Sequence, residues 1–207
     1  MTGTSVFVFA FCILPLALAS AQQLLLDKVV ARIGTNAVTL SDVRAAIGLG
    51  LIDAKSEDEP DAVNQMVNRQ LMIGEVERFP PPEPSPAAVD QELAAMKMRA
   101  GARLDELMRA TGLDEMRLGE MARVTLRIQA YVAQRFGTSR PVADEDVRRY
   151  YNEHQAEFTK DGKVLPFEDV EAAARQRAAT ARLRDAIAQW VRDLRSRTEV
   201  VMVGNKK

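Results

Sequence analysis

Side chains alternate across residues 29–33, with Val29, Ala31 and Ile33 on one side and Val30 and Arg32 on the other. A Gly34-Thr35-Asn36 turn and a second short run, Val38-Thr39-Leu40, follow. Two β-branched runs around a Gly/Asn turn predict a β-hairpin. Ser41 stands where an N-cap is needed, and Asp42 where the helix dipole favours an anion. From there the apolar spacing changes from two to about 3.6, and the chain reads as helices.

The first helix covers residues 42–51. Pro60 opens a second, in which Val63, Val67 and Leu71 fall four apart, Met66 and Ile73 widen the stripe, and the pattern runs to Phe79. The proline-rich stretch 80–86 predicts a stiff extended connector. Ser85 caps the next helix with Pro86 at its first position, and Val89, Leu93 and Met96 line one face up to Gly101. A shorter helix carries Leu104, Leu107 and Met108 and ends at Thr111-Gly112. Asp114 opens a long helix whose expected stripe is Met116, Met121, Val124, Ile128, Tyr131, Val132 and Phe136, behind an early contact from Leu113. Gly137 closes it, and a turn over 137–142 leads to DEDVRRYYNEHQAEF, a helix with three acids in its first turn that runs to about Phe158. Residues 159–166 read as a polar hinge containing Gly162.

Residues 167–197 are the longest periodic run. Val170, Ala174, Ala178 and Ala181 begin its apolar face; Leu183, Ile187, Trp190, Val191 and Leu194 complete it. A helix of that length is about 45 Å long, which predicts a trough or arm along it rather than a sphere. Residues 198–203 then read as a strand. A lone hairpin is unstable in water, so this strand is expected to complete the sheet from the far end of the chain. The expected fold is mainly α: several helices clipped by a small antiparallel sheet made from the N-terminal hairpin and the C-terminal strand.

Composition adds the compartment. Residues 1–21 hold no charged side chain, an apolar run over 6–18, and Ala19-Ser20-Ala21 before Gln22. This predicts a secretory signal peptide and a mature domain spanning 22–207. The run is shorter than the roughly 20 residues of a spanning helix, and Pro15 interrupts it. No Lys or Arg precedes the apolar run, so an uncleaved anchor is the alternative. The one cysteine, Cys12, lies in this segment, which leaves the mature chain without thiol or disulfide chemistry. With 28 Lys and Arg against 29 Asp and Glu, interleaved, the net charge is −1, and no basic face for nucleic acid stands out.

Three stretches resemble the SurA-type periplasmic chaperones and their PrsA-like relatives, of the parvulin family. They are DKVVARIGTNAVTLSDV at 27–43, VADEDVRRYYNEHQAEF at 142–158 and PFEDV at 166–170. The order of elements is similar too: signal peptide, small strands, helices, a return helix and a closing strand. The resemblance implies a periplasmic chaperone module binding unfolded or nascent exported polypeptides, with outer-membrane β-barrels among the clients. Such relatives carry a prolyl isomerase domain between the YY helix and the return helix. Only residues 159–166 stand there in this chain, too few for a domain. The family's isomerase site also needs a His pair, and the chain has a single His, His154, expected mid-helix at the surface. Isomerase activity is therefore not expected, though a residual isomerase and a scaffold for one specific partner are the competing readings.

No other chemistry stands out. There is no zinc motif, and Glu57-Asp58-Glu59 lacks the spacing of a calcium loop. Gly48 and Gly50 lack the pattern of a phosphate loop. No catalytic, cofactor-binding or metal-binding residue is expected, and no peptide-binding residue is singled out. Of nine methionines, Met96 and Met98 cannot share a helix face, so one of them should leave the core. Methionines suit both core filling and surfaces that take many partners.

Overall fold

The computed structural model describes residues 27–55, 60–137 and 141–203. The expected signal peptide with Cys12, the acids Glu57-Asp58-Glu59, part of the turn at 137–142 and the last four residues lie outside the described residues.

The chain opens with β1 (Val29–Ile33) and β2 (Asn36–Thr39) and closes with β5 (Val200–Met202), in the antiparallel order β2-β1-β5. The expected clasp is therefore present. Ala31 lies opposite Met202, Arg32 opposite Val201 and Ile33 opposite Val200. Backbone bonds from Gly34 N to Glu199 O (3.0 Å) and from Val203 N to Val30 O (2.9 Å) extend it. The turn is tighter than expected, Gly34-Thr35 alone, with Gly34 at φ 56°. The strict alternation of β1 also fails. Its register with β2 shifts between Val29 and Ala31, a bulge that turns Val30 into the core beside Ala31 and Ile33.

The first helix, α1 (Leu40–Gly48), is capped by Thr39 and not by Ser41. Thr39 Oγ1 accepts from Asp42 N (3.2 Å), and Asp42 Oδ2 accepts from Thr39 N (2.9 Å). Thr39 holds the extended backbone inherited from β2 (φ −105°, ψ 164°), as a cap requires. Ser41 sits two residues further on, buried in the first turn, with its N–H donated to Asp27 Oδ1 (3.2 Å).

Five helices follow as α2 (Pro60–Arg78), α3 (Pro86–Ala100), α4 (Leu104–Thr111), α5 (Glu115–Phe136) and α6 (Asp144–Glu153). Ser85 and Asp114 cap α3 and α5 as read, accepting from Ala88 N (3.2 Å) and Arg117 N (2.7 Å). Gly112, at φ 68°, ends α4 in the left-handed conformation that glycine takes without strain.

In α5 the expected stripe is wrong at its start. Met116 is 78% exposed, and Leu118, Ala122 and Thr125 are buried instead. The helix changes neighbour along its length. Its N-terminal half packs with α3 around Val89 and Met96, and its C-terminal half with α2 and the last helix through Ile128 and Tyr131. No single stripe serves both.

Helix α6 is also shorter than its apolar pattern. It ends at Glu153, and residues Gln155–Phe158 tighten into a 3-10 turn. His154 is thus the helix C-cap and not a mid-helix residue. Its ring stacks on Tyr150 (4.1 Å) and its Nδ1 lies 2.9 Å from Tyr150 O. The expected hinge is a closed hairpin, β3 (Thr159–Lys160) and β4 (Lys163–Val164). Asp161 and Gly162 both take positive φ (50° and 75°), as a tight Asp-Gly turn demands.

The return helix α7 spans Phe167–Ser196. It joins apolar groups that share no buried residue. Its N-terminal half buries Phe167, Ala174 and Ala178 against Val147 and Phe158 of the α6 region. Its C-terminal end buries Trp190, Val191 and Leu194 with the sheet, α1, α2 and α5. A further cluster, of α1, α3, α4 and the start of α5, lies around Leu49, Met96 and Leu118. Between its two anchorages α7 is largely bare, and Leu183, read as core from the sequence, is 37% exposed.

The methionine pair separates as its spacing requires: Met96 is fully buried and Met98 80% exposed. Met96→Ala should cost about 3 kcal/mol of stability, whereas Met98→Ala should stay within about 0.5 kcal/mol. Urea melts of the two variants check this, and equal midpoints would contradict the burial.

Candidate peptide-binding trough

Helices α2 and α7 are tied together near the end of α7. The Arg195 guanidinium donates to Asn68 Oδ1 (2.8 Å), Asn64 Oδ1 (3.1 Å) and Asn64 O (3.2 Å). Arg197 reaches the nearly buried Glu75 carboxylate at 3.7 Å. Between the two helices lies a groove of about 640 Å³.

Each wall follows from local sequence. On α7 the lining residues are Arg184, Ile187, Ala188, Val191, Arg192 and Arg195. Their spacing is i, i+3, i+4, i+7, i+8, i+11, a single helical stripe that mixes aliphatic residues and arginine. On α2 the stripe is Asn64, Gln65, Asn68, Arg69 and Met72. Leu51, Ile52 and Asp53, which follow α1, complete the lining. That segment is pinned to α2: Asp53 N donates to Gln65 Oε1 (2.9 Å), and Gln65 Nε2 donates to Asp53 O (2.6 Å). The apolar part of the lining is wholly aliphatic or thioether, with no aromatic ring.

The polar part is dominated by arginine. Arg69 is only 8% exposed and donates to Thr125 Oγ1 (2.7 Å). Burial lowers its pKa from the ordinary guanidinium value, with the Glu92 carboxylate acting in the opposite direction. Arg192 donates to Gln189 Oε1 (3.1 and 2.6 Å), and Arg195 to asparagine.

The sequence places a trough along the return helix but names no residue in it. Two features of the sequence mark it. One is the arginine on the aliphatic stripe of α7. The other is Arg69, a charge four residues from both Gln65 and Ile73 on a helix read only for its apolar face. The exposed methionines, Met98 and Met116, lie outside this groove, and Met72 lies in it. Among the described residues there is no group of three or more His, Cys, Asp or Glu placed to hold a metal ion. Nor is any described helix long and apolar enough to cross a membrane.

Compared with known proteins, the chain matches no family model and no curated sequence.

Proposed function

We propose that the chain is an exported holdase that keeps unfolded polypeptides from aggregating, with outer-membrane β-barrels among its clients. The observation that carries this reading is the open groove beside α7, where Ile187, Ala188 and Val191 face Met72, Leu51 and Ile52. An apolar groove with a polar rim suits extended segments held weakly while charged surroundings keep the complex soluble. The resemblance to SurA-type chaperones supports the same reading. Its three motifs fall on the clasp, on α6 and on the start of α7, the elements that frame the return helix.

Binding without chemistry is the mechanism. Between α6 and α7 the chain spends its residues on a 3-10 turn and a two-residue-strand hairpin, where the resembling family carries its isomerase domain. The single histidine is engaged with Tyr150 at the end of α6.

The test is light scattering of an unfolded β-barrel diluted from urea, with and without the protein from Gln22 onward. Scattering should fall at several-fold molar excess. Unchanged scattering would overturn the proposal.

A further inference from the structure

We infer that the trough selects acidic segments: stretches of extended polypeptide in which Asp or Glu alternates with aliphatic residues. This rests on reading the groove between α2 and α7 as a polypeptide site, and it names the chemistry of what enters.

The argument starts from charge. Over the whole chain Lys and Arg are matched by Asp and Glu, 28 against 29. Several arginines elsewhere sit against a carboxylate: Arg99 on Glu92 (2.9 Å), Arg123 on Glu83 (3.1 Å), Arg175 on Asp144 (2.8 Å), Arg177 on Glu157 (3.3 Å). The trough differs in gathering such side chains in one place. Four arginines line it, Arg69, Arg184, Arg192 and Arg195, against one acid, Asp53. None of the four has a carboxylate within bonding distance among the described residues. Arg69 is held by a hydroxyl, and Arg192 and Arg195 by side-chain amides. Neutral partners orient a guanidinium without cancelling its charge, so the groove keeps a positive field.

Geometry then sets the form of the ligand. From Arg184 to Arg195 the stripe on α7 is about 16 Å long, the span of about five extended residues. Side chains of an extended chain alternate in direction. One set can lie on Ile187, Ala188 and Val191 while the other meets the flanking arginines. Guanidinium groups pair with carboxylates through parallel N–H donors. A nucleic acid strand is the rival anionic polymer. Binding single strands draws on aromatic rings for base stacking, and no aromatic residue lines this groove.

The experiment uses the exported protein and two labelled ten-residue peptides with the same aliphatic residues. Glu fills the alternate positions of one and Lys those of the other. By fluorescence polarisation at low salt, the Glu peptide should bind about ten-fold tighter. Raising salt to about 0.5 M should remove most of the difference. The double variant Arg184→Glu/Arg192→Glu changes two exposed side chains that hold no ion pair among the described residues, so its melting temperature should match the parent's while the peptide preference reverses. Equal affinity for the two peptides, or an unchanged preference in the double variant, would overturn the inference. So would tighter binding of a single-stranded DNA oligomer than of the Glu peptide. Suppressed aggregation without acidic preference would sink this inference and leave the holdase standing. Acidic preference without suppression would sink the holdase and leave the trough as an acidic-peptide site.

Discussion

Replacing Ile33 by Asp should destabilise the protein by about 4 kcal/mol and lower its melting temperature by about 10 °C. Ile33 is buried in β1, the middle strand, between Asn36 of β2 and Val200 of β5. A carboxylate there loses its hydration among aliphatic neighbours such as Val30, Val38 and Leu194, all in the same cluster. The lost apolar area adds to that cost. The position matters beyond its own contacts. β1 binds β2, which feeds α1, and also binds β5, which follows α7. Weakening it loosens the first and last elements together. Circular dichroism and the fluorescence of Trp190, the single tryptophan, should therefore report one coincident transition at the lower temperature. Arg32→Asp is the control. Arg32 is exposed on the same strand, and its change should stay within about 0.5 kcal/mol. An unchanged melting temperature for the Ile33 variant would show that the two ends of the chain do not depend on the clasp.

Trp190→Ala should cost about 4 kcal/mol, while Trp190→Phe should cost no more than about half as much. Trp190 is 3% exposed and anchors the C-terminal part of α7 to the main core. Its ring stacks on Tyr131 (5.4 Å) and tilts against Phe136 (5.8 Å), and the Arg135 guanidinium lies 5.7 Å from its centroid. Alanine removes all of this and leaves a cavity. Phenylalanine keeps an aromatic face against Tyr131. It also removes a burden, because Trp190 Nε1 is buried without a hydrogen-bond partner among the described residues. Deleting that unpaired donor offsets part of the lost area. Guanidinium midpoints of the two variants measure the difference. Equal losses would mean that the indole N–H is paired in solution.

How far the fold could be read depended on whether a signal was local. Caps at Ser85 and Asp114 and the left-handed stop at Gly112 need only neighbours within a turn, and each stands where the residues indicated. Ser41 carries the local cap signal, yet Thr39 is the cap, because cap choice depends on where the preceding strand ends, and β2 ends at Thr39. Val30 was assigned by strict alternation, which a bulge defeats. Met116 and Leu183 fit single stripes in the sequence but lie exposed, because their helices change partner along their length. The trough was foreseen as a shape, from the length of α7, but not as a set of residues. Its walls come from helices more than a hundred positions apart in sequence, as the Arg195 to Asn68 bond shows.

What the sequence determined by itself was the order and type of elements, a helical chain closed by strands at its two ends. Periodicity and capping are set by residues a few positions apart, so they survive in any context that buries the apolar face. Only the tertiary structure decided which arginines meet in one groove without a carboxylate partner among the described residues. The whole chain is near neutral, and the groove gathers its arginines only when the stripes of α2 and α7 are laid side by side. The same packing turned the opening hairpin from an unsupported pair of strands into the clasp that joins the chain's two ends.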